Sequence, residues 1–162
     1  MPAHIAANTV TLIRWLLVVA AVCAIPSFAA AEEGTEHAHE PNYIAVFVGA
    51  ASEERRESGL ALGIEYERRL NASLGVGAIV ERTFGDIDAT IYALPIAYHS
   101  GPWKLYAAPG TENGDAGNDA LMRFGAEYGF EVNKWEIAPQ LDIDFIDGDR
   151  VLVLGITFGI GY

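Results

Sequence analysis

Three groups of residues have the types and spacing that chemistry needs. The first is Glu36-His37-Ala38-His39-Glu40, where His37 and His39 supply imidazoles beside two carboxylates, a donor set suited to Zn²⁺ or Cu²⁺. The run reads as a polar leader rather than a site, and no metal site is expected. The second is His99-Ser100, a base next to a hydroxyl. Nucleophilic catalysis needs those groups within hydrogen-bond reach and a third group to orient the base, and no Ser-centred elbow or Gly-rich phosphate loop accompanies them. No catalytic residue is assigned. The third is a set of hard oxygen donors, Glu112, Asp115, Asn118 and Asp119 with Asp147-Gly148-Asp149. Their spacing is not that of a calcium loop, so weak divalent bridging is the most they imply.

The chain as a whole narrows the choices. Its 162 residues carry 22 Asp+Glu against 10 Lys+Arg, a net −12, which repels phosphate backbones and argues against nucleic acid as a partner. At 51% hydrophobic it is too apolar for a disordered acidic tail. Its single Cys excludes a disulfide framework or a Cys-rich cluster, and no cofactor is expected.

The elements that would position any site begin after an export signal. Arg14 precedes an apolar run from Trp15 to Ile25, followed by Ala29-Ala30-Ala31 and then Glu32-Glu33. That order predicts a secretory signal peptide over 1–31, cleaved after about Ala31, because the run is too short to span a bilayer as a helix. A polar leader over 32–41 and a single domain over 42–162 complete the expected layout.

Within 42–162 the pattern has period two, interrupted by Gly, Asn, Asp and Pro. Leu152, Leu154, Ile156, Phe158, Ile160 and Tyr162 alternate with Val153, Gly155, Thr157, Gly159 and Gly161. Met122 to Glu131 and Trp135 to Phe145 alternate in the same way, as strands with one apolar face do. Eight such segments are predicted, near 42–51, 59–68, 73–82, 89–98, 103–108, 121–132, 135–145 and 151–162. Pro95 and Pro139 each remove a ladder donor. The first segment is open in phase, with Tyr43 and Phe47 on one face and Ile44, Val46 and Val48 on the other. Connections alternate between short turns and longer polar loops, the longest being Pro109–Ala120, except that the seventh, around Asp147-Gly148-Asp149, is short and breaks the alternation. The fold predicted is all-β, an eight-stranded antiparallel up-and-down transmembrane β-barrel.

Period two fits a soluble barrel as well, so facing needs separate grounds. Tyr43, Tyr66, Tyr98, Trp103, Phe130, Trp135 and Tyr162 all fall at the short-turn ends, where a membrane–water interface favours aromatics. The other face mixes many glycines with long charged residues, which suits a narrow filled interior. On this phase Glu65, Glu67, Glu81, Lys104, Arg123, Glu127, Glu131, Glu136, Gln140, Asp142 and Asp144 face the lumen, a network centred on Arg123 and Lys104.

Signal, segment count and aromatic ending together resemble the small bacterial outer-membrane β-barrel family, of the OmpA membrane-domain, OmpX and OmpW type. The resemblance implies location in the bacterial outer membrane, contact with its lipid and lipopolysaccharide, and delivery by the outer-membrane assembly machinery through the C-terminal strand ending in Tyr162. It implies a monomer with a structural or surface-interaction role. The alternatives are a narrow channel for small cations or small apolar molecules and, further off, a lipid A-modifying enzyme or a lipocalin-like periplasmic barrel. Outer-membrane deacylases share a His-x-Ser motif, from which His99-Ser100-Gly101 departs, and no enzyme activity is expected.

Overall fold

A computed structural model describes residues 40–53, 58–114 and 117–162. Among these residues ten strands run β1 (Asn42–Glu53), β2 (Ser58–Arg69), β3 (Leu74–Gly85), β4 (Ala89–Ala93), β5 (Ile96–Ser100), β6 (Trp103–Gly114), β7 (Gly117–Tyr128), β8 (Phe130–Val132), β9 (Trp135–Ile146) and β10 (Asp149–Gly161). They form eight staves, since β4 with β5 and β7 with β8 are each one stave with an interruption. Every pairing is antiparallel. β1 pairs β10 from Tyr43↔Gly161 to Glu53↔Val151, which closes the barrel and leaves no long free edge. At the seam the Asn42 and Tyr162 backbones each donate to the other's carbonyl, at 3.1 and 2.8 Å.

Local chemistry explains the breaks and turns. Pro95 has no N–H, so β4 ends at Ala93, yet its carbonyl accepts from Gly77 N at 2.9 Å and Leu94 N donates to Pro109 O at 3.0 Å. The stave therefore continues across the break. Pro139, by contrast, sits inside an uninterrupted β9 opposite Ile156. Asp147 and Gly148, at φ of 46° and 91°, make the two-residue turn between β9 and β10 that this left-handed geometry favours.

One expectation is corrected. The polar stretch 109–120 is not a loop after a strand ending at 108: β6 runs to Gly114 and β7 starts at Gly117, with Thr111↔Ala120 and Glu112↔Asp119 in register. Ladder hydrogen bonds are made by the backbone, so a hairpin projecting into water holds strand geometry without an apolar face.

Period two then divides the residues into two sets. Ile44, Val46, Leu60, Leu62, Ile64, Val80, Phe124, Leu141, Leu154 and Phe158 are exposed on the outer surface. Phe47, Ile79, Ile91, Leu121, Ile146 and Val153 are buried inside with the charged residues. β1 takes one phase throughout, with Ala45 and Phe47 inward and Ile44, Val46 and Val48 outward.

Candidate functional site

The lumen is built from side chains that alternate inward along their strands and converge near two cations. Arg123 of β7 is completely buried (0% exposed). Its Nε and Nη2 donate to the two oxygens of Asp144 on neighbouring β9, both at 2.7 Å. Its Nη1 and Nη2 donate to Glu81 of β3 at 2.9 and 3.0 Å. Two carboxylates thus take forked bonds from one planar guanidinium, the geometry that best offsets the desolvation of buried charge. Asp142, 3.6 Å from Nη1, is held from the other side by the Tyr106 hydroxyl (2.5 Å) and the Gln140 amide (2.7 Å). Gln140 also donates to the Tyr106 hydroxyl at 2.9 Å and accepts from Thr157. Gly125 leaves the space for this packing: a Cβ there would meet both the Tyr106 ring and the Asp142 carboxylate.

Lys104 of β6 is the second cation. Its Nζ pairs with Glu65, lies 2.9 Å from Glu127 and 3.4 Å from Glu67, and sits 5.3 Å from the centre of the Tyr106 ring. Glu67 is shared further, with His99 Nε2 at 2.6 Å and Arg69 Nε at 2.8 Å. His99, Tyr106, Thr157 and Arg69 were not among the residues assigned to this network from sequence, although each has the right parity on its strand. Parity gives a face but not a partner.

Beyond Lys104 the interior opens toward the short-turn end. A cavity of about 350 Å³ is bounded by Tyr43, Glu67, Arg69, His99, Glu127, Glu131 and Glu136, among others. A second, of about 390 Å³, shares Tyr43, Arg69, Glu131 and Glu136 with it and reaches Glu40 and Lys134. Two sequence assignments change here. Glu131 is exposed and Glu136 only half-buried: they face each other in register near the β8–β9 turn and line the mouth, outside the ion pairs of Arg123 and Lys104. Tyr43 is not an outer-surface aromatic. The outward phase of Ile44 turns it inward, where its ring lies over Gly159, 6.0 Å from Lys104 Nζ.

The other assigned positions fall as follows. Glu65, Glu67, Glu81, Lys104, Arg123, Glu127, Gln140, Asp142 and Asp144 are buried. Tyr98, Trp103, Phe130, Trp135 and Tyr162 are exposed on the outer surface, and Tyr66 is half-buried there, donating to Asn42 Oδ1 at 3.0 Å. Tyr128 joins them, its ring 4.9 Å from both Trp103 and Phe130. His99 points inward and Ser100 outward, so this pair forms no nucleophile–base couple. At the opposite end Glu112 is half-buried; burial first, then Asp144, Asp119 and Glu53, hold its carboxyl above the ordinary range. No group of three or more His, Cys, Asp or Glu among the described residues could hold a metal ion. His37 and His39, the leader before Glu40 and the export signal lie outside the described residues, as does Asp115.

No family model and no curated protein matches the chain in sequence. Solved structures match it in fold. Ail, the attachment invasion locus protein of Yersinia pestis, aligns with a TM-score of 0.51 at 14% identity, over 75% of this chain and 97% of its own. The N-terminal β-barrel domain of Pseudomonas aeruginosa OprF aligns at 0.50 and 15% identity, over 75% and 99%. A chain from the de novo design of transmembrane β-barrels aligns at 0.51 and 10% identity, over 74% and 97%. At such identities the likeness is one of architecture, and the architecture is the eight-stranded antiparallel transmembrane β-barrel.

Proposed function

We propose that this chain is a bacterial outer-membrane β-barrel of the OmpA membrane-domain, OmpX and OmpW type, with a structural or surface-interaction role and no catalysis. One observation carries the reading: a closed barrel exposes a continuous apolar outer surface while its charged residues are buried inside. In water that arrangement is inverted, but in a bilayer it is the stable one. Tyr98, Trp103, Phe130, Trp135 and Tyr162 would lie at the headgroup level of the leaflet on the short-turn side. The β6–β7 hairpin would project from the other side, exposing Asn118 and other polar residues to partners at the cell surface. Lipid and lipopolysaccharide are the immediate surroundings, the barrel acts as a monomer, and the assembly machinery engages β10. Residues 1–31 serve as the cleaved export signal.

The buried ion pairs favour a filled lumen over a conducting one, since Arg123 and its carboxylates leave no exposed surface at that level. Fractionation tests the location. The protein is expected in the outer membrane, migrating faster on a gel unboiled than boiled, and recovery from the soluble periplasm would overturn the reading. Leu154→Arg, on the outer surface, is expected to cost about 2–4 kcal/mol in urea unfolding from lipid vesicles if that residue lies near the bilayer midplane. A value near zero would place this surface in water.

A further inference from the structure

The junction between β1 and β10 is held differently from the rest of the barrel. The ion pairs of the lumen join β2, β3, β5, β6, β7 and β9 into one charged lattice. β10 enters it through the neutral Thr157 hydroxyl, and β1 through the Tyr43 ring, 6.0 Å from Lys104 Nζ. The inward pairs across the seam are uncharged: Tyr43↔Gly161, Ala45↔Gly159, Phe47↔Thr157 and Gly49↔Gly155. The rings of Tyr43 and Phe47 lie over Gly159 and Gly155, where an added Cβ would collide with them. On its inner side, then, the seam is held by the backbone ladder and by dispersion between rings and glycine backbone.

At the short-turn end one side chain ties the two sides together. Asn42 and Tyr162 already exchange backbone hydrogen bonds at 3.1 and 2.8 Å. Asn42 Nδ2 also donates to the Tyr162 carbonyl at 3.2 Å, while its Oδ1 accepts from the Tyr66 hydroxyl at 3.0 Å and from Arg68 Nη1 at 2.9 Å. An amide carries donors and an acceptor on one plane, so it can serve both neighbouring strands at once. We propose that Asn42 is the latch of the seam, fastening β10 to β2 across β1, and that the barrel opens there while the ion pairs keep the other staves together. On release β1 stays with β2 through their ladder and parts from β10. The Tyr43 and Phe47 rings then leave their glycines, and the cavity bordered by Tyr43, Ile160 and Gly161 gains a lateral slit. The latch depends on closure of the barrel and stands whichever membrane role the barrel has.

Amide hydrogen exchange of the refolded barrel in detergent, read strand by strand, tests this. In Asn42→Ala the amides of residues 43–46 and 158–161 are expected to exchange at least about fivefold faster, with those of β6 and β7 unchanged. Asn42→Asp keeps an acceptor for Tyr66 and Arg68 but loses the donor to Tyr162, and is expected to match Asn42→Ala at the seam. Tyr66→Phe leaves that donor in place and is expected to stay within about twofold of the unsubstituted barrel. Should Asn42→Ala fail to give the unboiled fast band, Asn42→Asp decides by the same amides. Unchanged exchange in Asn42→Ala, an equal rise in every strand, or a seam as protected in Asn42→Asp as in the unsubstituted barrel would each overturn the proposal.

Discussion

Arg123 and Lys104 meet the same difficulty in different ways. Both are cations inside the barrel, and each faces three carboxylates: Glu81, Asp142 and Asp144 for Arg123, and Glu65, Glu67 and Glu127 for Lys104. Arg123 spends its planar fork on two forked pairs, and the third carboxylate is taken over by Tyr106 and Gln140. Lys104 is a point charge with three donors, and it holds Glu127 Oε1 at 2.9 Å as an ion pair without the forked geometry that Arg123 gives its carboxylates. The closed cluster therefore sits where no surface is exposed, and the open one sits where the cavity begins. A narrow barrel thus seals one level of its interior and leaves the next available.

The largest expected effect breaks the closed cluster. Arg123→Met leaves Glu81 and Asp144 buried without their cation, and is expected to cost about 3–5 kcal/mol in urea unfolding from vesicles, or to prevent formation of the fast-migrating band. Lys104→Met should cost less, about 1–3 kcal/mol in the same assay, because Glu67 keeps His99 and Arg69 and the cavity gives Glu127 access to water. Equal losses in the two variants would erase the contrast between a sealed level and an open one. The smallest effect sharpens the boundary of the network: Glu131→Gln, at the exposed rim, should change stability by no more than about 0.5 kcal/mol. A loss near that of Lys104→Met would draw Glu131 into the lumen network.

The charged lumen was legible in sequence to the extent that parity decides facing. Glu65, Glu67, Glu81, Arg123, Asp142 and Asp144 alternate against apolar neighbours along their strands, and they are buried. Glu131 and Glu136 have the same parity but lie near a turn, beyond the level at which the staves enclose a space. Tyr43 shows the reverse problem: in β1 small and apolar residues occupy both faces, so its side could be read only from the pairing with β2 and β10. The polar hairpin at 109–120 was hidden because composition marks solvent exposure, not backbone geometry.

What the residues determined unaided is what depends on neighbours one and two positions away. Alternation, the apolar outer face, the aromatic strand ends and the turns at Asp147-Gly148 all follow from the pleat of a strand. The partners of Arg123 stand 42 residues away at Glu81 and 21 at Asp144, and Glu67 lies 32 from His99. No local rule relates such positions. They meet because β10 closes on β1 and the register of eight staves sets which inward side chains share a level. Closure, and with it the sealed cluster and the open mouth, belongs to the tertiary structure.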